Sequence, residues 1–399
     1  MTNWINRAAS LWPFAGKPAS EQKQSRAEGL ISLHHTGQPV WSPRNYEAFA
    51  REGFSQNAIG YRCVKMIAEA AASIPWQVHD NGVPVSGHPL ERLLSRPNPA
   101  DSGRALMEAF YGYLQVSGNA YLEAAMVDGK VRELYALRPD RMKVIAGDGG
   151  WPAGFEYRVN GASVRFDQSS GPVAPILHMT LFNPLNDYYG MAPFEAAAKA
   201  IDIHNAAAAW NKALLDNAAR PSGALVYANK DGDGNLTGEQ FERLKAELEG
   251  AYQGAQNAGR PMVLEGGLDW KQMSYSPKDM EHIEARHVAA REIALAFGIP
   301  PMLLGIPGDN TFANYAEANR TFWRQTVIPL AEKTALEISN WLAPVYGRSV
   351  RIMCETDNLT ALAGERQALW QRINDAHFLD DDEKRQLLGL APRNRRTNG

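Results

Sequence analysis

Few residues in this 399-residue chain are placed for chemistry. The nearest approach to a metal site is Asp231-Gly-Asp233-Gly-Asn235, with Glu242 at the twelfth position of the frame, which looks like a calcium loop. Such a loop needs glycine at its sixth position, where Leu236 stands, and a strand rather than an apolar helix precedes it. The same residues make a helix start: Thr237 caps, Gln240 completes a capping box and Leu236 staples onto Phe241, which is the favoured reading. His282 and His287 are five apart, a poor spacing for one metal on one helix face, and His287 falls on an apolar stripe as a core histidine would. Gly-Lys occurs at 16–17 and 129–130, followed by Pro and Val rather than Ser or Thr, so no nucleotide-phosphate loop is present. HExxH, GxSxG and spaced GxGxxG motifs are absent. Cys63 and Cys354 are too few for a disulfide framework or a thiolate cluster and fit a reducing compartment. Neither a metal nor a cofactor is expected, and no catalytic constellation stands out.

Something other than catalysis must then explain the elements. Hydrophobic residues make up 45% and charged residues 21%, enough for a sizeable core. With 34 Gly and 24 Pro the chain is not of low complexity. The formal net charge of −3 argues against tight wrapping of DNA, which calls for many cations against phosphates. No apolar run reaches the ~18 residues of a membrane span. Residues 8–16 are mostly apolar but carry Pro13 and little preceding charge, so a short amphipathic helix (Trp4, Ile5, Ala8, Leu11, Trp12) is expected rather than a signal peptide, with a polar linker at 17–30. The ten Trp read as core and subunit interface, not as a base-stacking platform.

The patterning gives an α+β chain. Residues 53–73 carry a helical stripe (Ile59, Cys63, Ile67, Ala70) ended by Ile74-Pro75. A strand pair follows around Asn81-Gly82, then a short helix at 88–95 and a longer one capped by Asp101 or Ser102. The period then changes to two, and an antiparallel meander turned at Asp128-Gly129 and Asn160-Gly161 closes with a strand at 176–182. Residues 193–218 form one Ala-rich helix opened by Pro193. A strand, a helix from Thr237 and two further strands precede a second long helix from Ser276, with the stripe Met280, Ile283, His287, Ala290, Ile293 and Phe297. Residues 299–311 read as loop, a third long helix over about 315–341 is kinked by Pro329, and two short helices flank 375–382. From these residues alone, a non-catalytic assembly protein and an enzyme with a dispersed active site both remain, the first favoured by the missing catalytic groups.

Nine motifs in order then carry a resemblance. They are Ser73-Ile-Pro-Trp-Gln-Val78; His88-Pro-Leu with Leu93-Leu94 and Pro97-Asn98-Pro99; Ser117-Gly-Asn-Ala-Tyr-Leu122; Leu137-Arg-Pro-Asp140; Tyr189-Gly-Met-Ala-Pro193; Ala219-Arg-Pro-Ser-Gly223; Val263-Leu-Glu-Gly266; Phe297-Gly-Ile-Pro-Pro-Met-Leu-Leu-Gly305; and Asn314-Tyr-Ala-Glu317 leading to Thr326-Val-Ile-Pro329. Over about residues 43–343 the chain resembles tailed-phage portal proteins of the Hong Kong phage type, found in siphophages, prophages and gene transfer agents.

The resemblance implies a ring-shaped homo-oligomer, usually of twelve copies, at one capsid vertex of a virion assembled in the bacterial host cytoplasm. Double-stranded DNA would pass through it non-specifically during packaging and ejection. The implied partners are other copies of the chain, the terminase large subunit, the head–tail adaptor and the major capsid protein, with no membrane. Terminase would supply ATP hydrolysis, in line with the missing phosphate loop, and a ring total near −36 would let DNA slide. The implied organisation is an N-terminal arm (1–30), wing (31–192), first stem helix (193–219), β-α-β clip (220–275), second stem helix (276–298), channel loop (299–318), long wing helix (319–350) and helical crown (351–399). Asp309, Asn310, Thr311, Asn314 and Glu317 would line the channel. Lys230, Glu239, Arg243, Lys245 and Glu247 would form the partner-binding clip surface. Ala206, Ala207, Ala208 and Ala209 would lie at the subunit interface, and Arg393, Arg395 and Arg396 near packaged DNA. Another head–tail connector or capsid component, or an uncharacterised enzyme, is the alternative.

Overall fold

The structure is a computed structural model that describes residues 41–147, 150–216, 223–227, 239, 242–244, 246, 268–272, 282–308 and 312–388. Its helices are α1 (Ala58–Ser73), α2 (Pro89–Ser95), α3 (Gly103–Ser117), α4 (Ala198–Asp216), α5 (His282–Ala296), α6 (Phe312–Phe322), α7 (Ile328–Tyr346), α8 (Ala363–Asn374) and α9 (Asp381–Leu387). Its strands are β1 (Trp76–Asp80), β2 (Val83–Pro84), β3 (Asn119–Val127), β4 (Lys130–Leu137), β5 (Met142–Ala146), β6 (Pro152–Val159), β7 (Ala162–Asp167), β8 (Ile176–Thr180), β9 (Gly223–Tyr227), β10 (Leu268–Gln272) and β11 (Val350–Cys354).

Local chemistry sets the element ends. The Asn57 side chain accepts from Gly60 N at 2.9 Å and starts α1. This cap divides the helix expected over 53–73, because a cap residue must be extended, and Asn57 has φ −111° and ψ 109°. Ahead of it the chain makes a π-turn, Phe49–Ser55. His88 caps α2 through Nδ1, and Ser102, not Asp101, caps α3. The hairpins β1–β2, β3–β4 and β6–β7 turn at Asn81-Gly82, Asp128-Gly129 and Asn160-Gly161, each with positive φ at both residues as a type I′ turn requires.

The expected meander is instead two three-stranded sheets, in the orders β4-β3-β8 and β5-β6-β7. After β7 the chain returns to pair β8 with β3, and Gln168 bridges the gap by donating to Ile176 O and accepting from Ile176 N. Tyr121, Leu137, Met142, Val144, Phe155 and Ile176 fill a small core of their own. The principal core joins α1, α3, α7 and the β4-β3-β8 sheet.

A third sheet, β11-β1-β2, brings residues 350–354 onto β1, with Trp76 opposite Cys354. The boundary expected between 350 and 351 would cut this strand, which pairs along its length with β1. Buried Ser339 fixes the return, donating to Ala335 O and accepting from Ile352 N at 2.8 Å. The third long helix is longer than expected. α6 passes through a π-turn at Trp323–Val327 into α7, with Pro329 in the first turn of α7, where its missing N–H is tolerated.

Candidate functional site

The candidate site is the helix pair α4–α5 with its anchorage and its two outlets. α4 and α5 pack along each other, and beyond them β9 and β10 pair antiparallel, Leu268 opposite Tyr227. The expected helix over 193–218 is broken at Ala197 (φ −85°, ψ 0°), so the short helix Pro193–Ala196 precedes α4.

That break seats Phe194, which is fully buried. Its ring stacks on Phe49 at 6.4 Å and meets Phe297 edge-on at 5.0 Å. Gly53 and Gly60 make room for it: a Cβ on Gly53 would come 2.8 Å from the Phe194 ring, and one on Gly60 would come 2.2 Å from Gly53 O. A polar joint lies beside this aromatic one. Asn57 Nδ2 donates to His204 Nδ1 (3.1 Å) and Asn205 Oδ1 (2.9 Å), and Asn205 Nδ2 donates to Glu52 O. The Arg286 guanidinium on α5 stands 3.4 Å from His204 Nε2. Burial, then the Arg286 charge, holds the His204 pKa below the usual imidazole value, so the ring stays neutral. Ser42 donates twice to Asp202, and the Lys199 ammonium lies 5.9 Å from the Trp41 ring centre. The start of α4 is therefore held to residues 41–57 by aromatic, amide, hydrogen-bond and cation–π contacts.

Two further joints bring together motifs far apart in sequence. Asn119 Oδ1 accepts from Gly190 N (2.9 Å) and from His178 Nε2 (3.0 Å), which ties Ser117–Leu122 to Tyr189–Pro193. Gly118 has φ 73°, and a Cβ there would lie 2.6 Å from Gly190 O. The His178 ring stacks on Tyr121 at 4.3 Å, and burial lowers its pKa to about 4. At the end of α5, Thr326 Oγ1 donates to Gly298 O at 2.6 Å, joining the Phe297–Gly305 and Thr326–Pro329 motifs. Arg291 then donates to Pro307 O at 2.6 Å and holds the segment after the 3₁₀ turn Pro301–Leu304 against α5.

The expected site residues are distributed unevenly. Ala207 is buried within the chain, while Ala206 and Ala209 are exposed and Ala208 is half-buried. Ala207 is therefore a packing residue and cannot face a neighbouring copy. Ile283, expected on the buried stripe of α5, is 66% exposed, and His287 is half-buried. The buried face of α5 is made by Ala289, Ala290, Ile293 and Ala294, and large side chains (Ile283, Val288, Leu295) point outward. The expected stripe holds at Ala290, Ile293 and Phe297, which are buried, and fails at Ile283; the run of small residues at 289, 290 and 294 was the signal for the buried face. Asn314 and Glu317, expected in a loop, lie exposed on α6, where Glu317 pairs with Arg320 at 2.6 Å. Loop character thus ends before Phe312. Glu239 and Arg243 are exposed and helical. Lys230, Lys245, Glu247, Asp309, Asn310, Thr311, Arg393, Arg395, Arg396 and the Asp231–Asn235 segment lie outside the described residues.

Among the described residues no cluster of three or more His, Cys, Asp or Glu could hold a metal ion, and no helix is long and apolar enough to cross a membrane. Burial pushes the Cys63 thiol up to about 12 and the Cys354 thiol up to about 11, so neither is poised as a nucleophile.

The family model for phage portal protein matches residues 58–389. The chain belongs to the phage portal protein family. Phage portal relatives agree. The chain is 26% identical over 349 residues to the portal protein of Enterobacteria phage HK97, covering 83% of this chain and 78% of that one. It is 41% identical over 345 residues to an uncharacterized protein of Rickettsia bellii, covering 85% and 88%. Among solved structures it matches a chain in the neck of an empty gene transfer agent (GTA) particle computed with C6 symmetry, at 52% identity and TM-score 0.72, over 90% of this chain and 97% of that one. A chain in the neck of the native GTA particle, computed with C12 symmetry, matches at 52% identity and TM-score 0.70, over 89% and 96%. The family matches the resemblance read from the nine motifs.

Proposed function

We propose that this chain forms the portal ring at one capsid vertex of a GTA-like particle, through which DNA is packaged and later ejected. The observation that carries this reading is the match to the GTA neck chain at 52% identity over 90% of this chain, twice the identity to the HK97 portal. The C12 and C6 symmetries of the matched necks support a ring of about twelve copies. Exposed Ile283, Val288 and Leu295 on α5, with Ile203 on α4, support burial of the stem between copies.

On this reading residues 31–192, the 319–350 helix and β11 form the wing, 193–219 and 276–298 the stem, 220–275 the clip, 299–311 the channel loop and 355–399 the crown, with 1–30 as the arm. The role is structural, with the motor activity supplied by a partner. The clip, through exposed Glu239 and Arg243 with Lys230, Lys245 and Glu247, docks the terminase large subunit and then the head–tail adaptor. Arg243→Glu with Lys245→Glu should therefore weaken terminase binding in a pull-down. Asp309, Asn310 and Thr311, with Asn314 and Glu317 at the start of α6, offer DNA weak exchangeable contacts in place of salt-dependent phosphate bonds. Removing residues after Pro392, with Arg393, Arg395 and Arg396, should lower the DNA content of particles and spare ring assembly. Negative-stain imaging of the purified chain tests the core of the proposal: rings with a central hole are expected, and a monodisperse monomer at high concentration would overturn it.

A further inference from the structure

A groove of about 1110 Å³ opens on the wing between α2, β4 and the end of α7, away from the stem. Four cations line it. Arg92 and Arg96 stand one helical turn apart on and just after α2, and Lys130 and Arg132 stand on β4. All four are exposed, and none makes an ion pair with another described residue. The groove's one carboxylate, Glu133, already accepts from the Tyr135 hydroxyl at 2.6 Å. A local excess of three positive charges thus sits on a chain whose net charge is −3.

The backbone of this groove is as unusual as its charge. β4 is an edge strand, paired only with β3. The register passes from Ala125–Glu133 to Met126–Val131, so Arg132 is the extra residue of a bulge and has no partner across the pair. The segment Pro97-Asn98 satisfies the outer edge at Leu134 alone: Leu134 N donates to Pro97 O, and Asn98 Nδ2 donates to Leu134 O. Among the described residues no hydrogen bond from outside the sheet reaches the backbone of residues 130–133. The groove is also lined by Pro89 and Pro344, which carry no N–H to compete for that edge. His88 and Tyr346, with ring centres 5.8 Å apart, add an aromatic surface.

We propose that this groove is a docking site for an extended acidic peptide segment of a partner protein, which adds a strand to β4 at residues 130–133 and places its carboxylates against Arg92, Arg96, Lys130 and Arg132. Strand addition supplies affinity through main-chain bonds, and the cations select the charge of the alternate side chains. A nucleic acid has no alternating N–H and C=O edge to meet β4, so the backbone favours peptide. No residue lining the groove belongs to the segments proposed as stem, clip or channel, and its occupant meets residues proposed for the wing.

A fluorescein-labelled peptide of alternating Glu and Val, titrated into the full-length chain and followed by anisotropy, tests this. Saturable binding is expected. Arg96→Glu with Arg132→Glu should weaken it at least about tenfold while the melting temperature stays that of the parent, because both side chains are exposed. Proline at alternate positions of the peptide should weaken it similarly, and a Lys-Val peptide should not bind. Equal binding by the double variant, or undiminished binding of the proline peptide, overturns the proposal. So does an oligothymidylate of equal charge that binds as tightly and is lost in the same variant, since the groove would then be a phosphate site.

Discussion

α1 and α5, proposed for the wing and the stem, are helices of nearly equal length with different packing. α1 buries Cys63, Val64, Ile67, Ala68 and Ala71, and the large apolar group it exposes is Tyr61. α5 buries mostly alanine and leaves Ile283, Val288 and Leu295 66%, 44% and 78% exposed. The wing helix is satisfied within one copy of the chain. α5 packs its small residues Ala290 and Ala294 against Ile306, Ile59 and Leu304, and leaves its large ones for the proposed surface between copies. The proposed ring thus assigns stability and assembly to different faces of different helices.

The sharpest break of this comparison lies where α1 meets the π-turn Phe49–Ser55. Gly60→Val should leave no stably folded chain, a loss of more than about 4 kcal/mol, because the added Cβ meets the backbone oxygen of Gly53 and has nowhere to relax. Soluble yield and urea unfolding measure it, and a wild-type midpoint would show that the close approach of α1 to the π-turn is not required. Next, Ala207→Trp should destabilise the chain by about 1–3 kcal/mol or more through overpacking. Ala209→Trp, two positions on but exposed, should leave the unfolding midpoint unchanged and reduce ring formation in sedimentation. If both variants fold and assemble normally, the two faces of α4 are not distinct.

A pH titration probes the joint at His178, read against the parent chain because the His204 pKa on α4 is lowered too. Burial lowers the His178 pKa from 6.5 to about 4, so the unfolded chain binds the proton more readily than the folded one. Stability should be level above about pH 6.5 and fall as pH drops from there towards 4. His178→Gln should flatten that limb in thermal melts between pH 7 and 4; an unchanged slope would assign the acid sensitivity elsewhere. The smallest effect on the isolated chain is expected from Ile283→Ser with Leu295→Ser, within about 0.5 kcal/mol. The same double variant should fail to form rings by negative stain, and rings of wild-type abundance would remove α5 from the interface.

Most of the fold was legible because its signals are local. The three hairpin turns and the cap at Ser102 each act within a few residues, and they stand where the sequence placed them. The candidate site was less legible. Ala207 and Ile283 traded their expected roles because the inward face of a helix rich in alanine depends on how closely its partner approaches. Composition allows that approach and does not orient it.

The sequence by itself determined the α+β class, the order of helices and strands, the want of catalytic motifs and, through nine short motifs, the family. Only the tertiary structure decided that β11 returns across more than two hundred residues to β1, that Asn119 ties two distant motifs together, and that β4 presents an open, cationic edge. The physical reason is separation in the chain. Turns and caps are settled by neighbours within one or two turns of backbone, whereas strand partners, buried hydrogen bonds and facing charges are chosen by whichever distant segment completes the core.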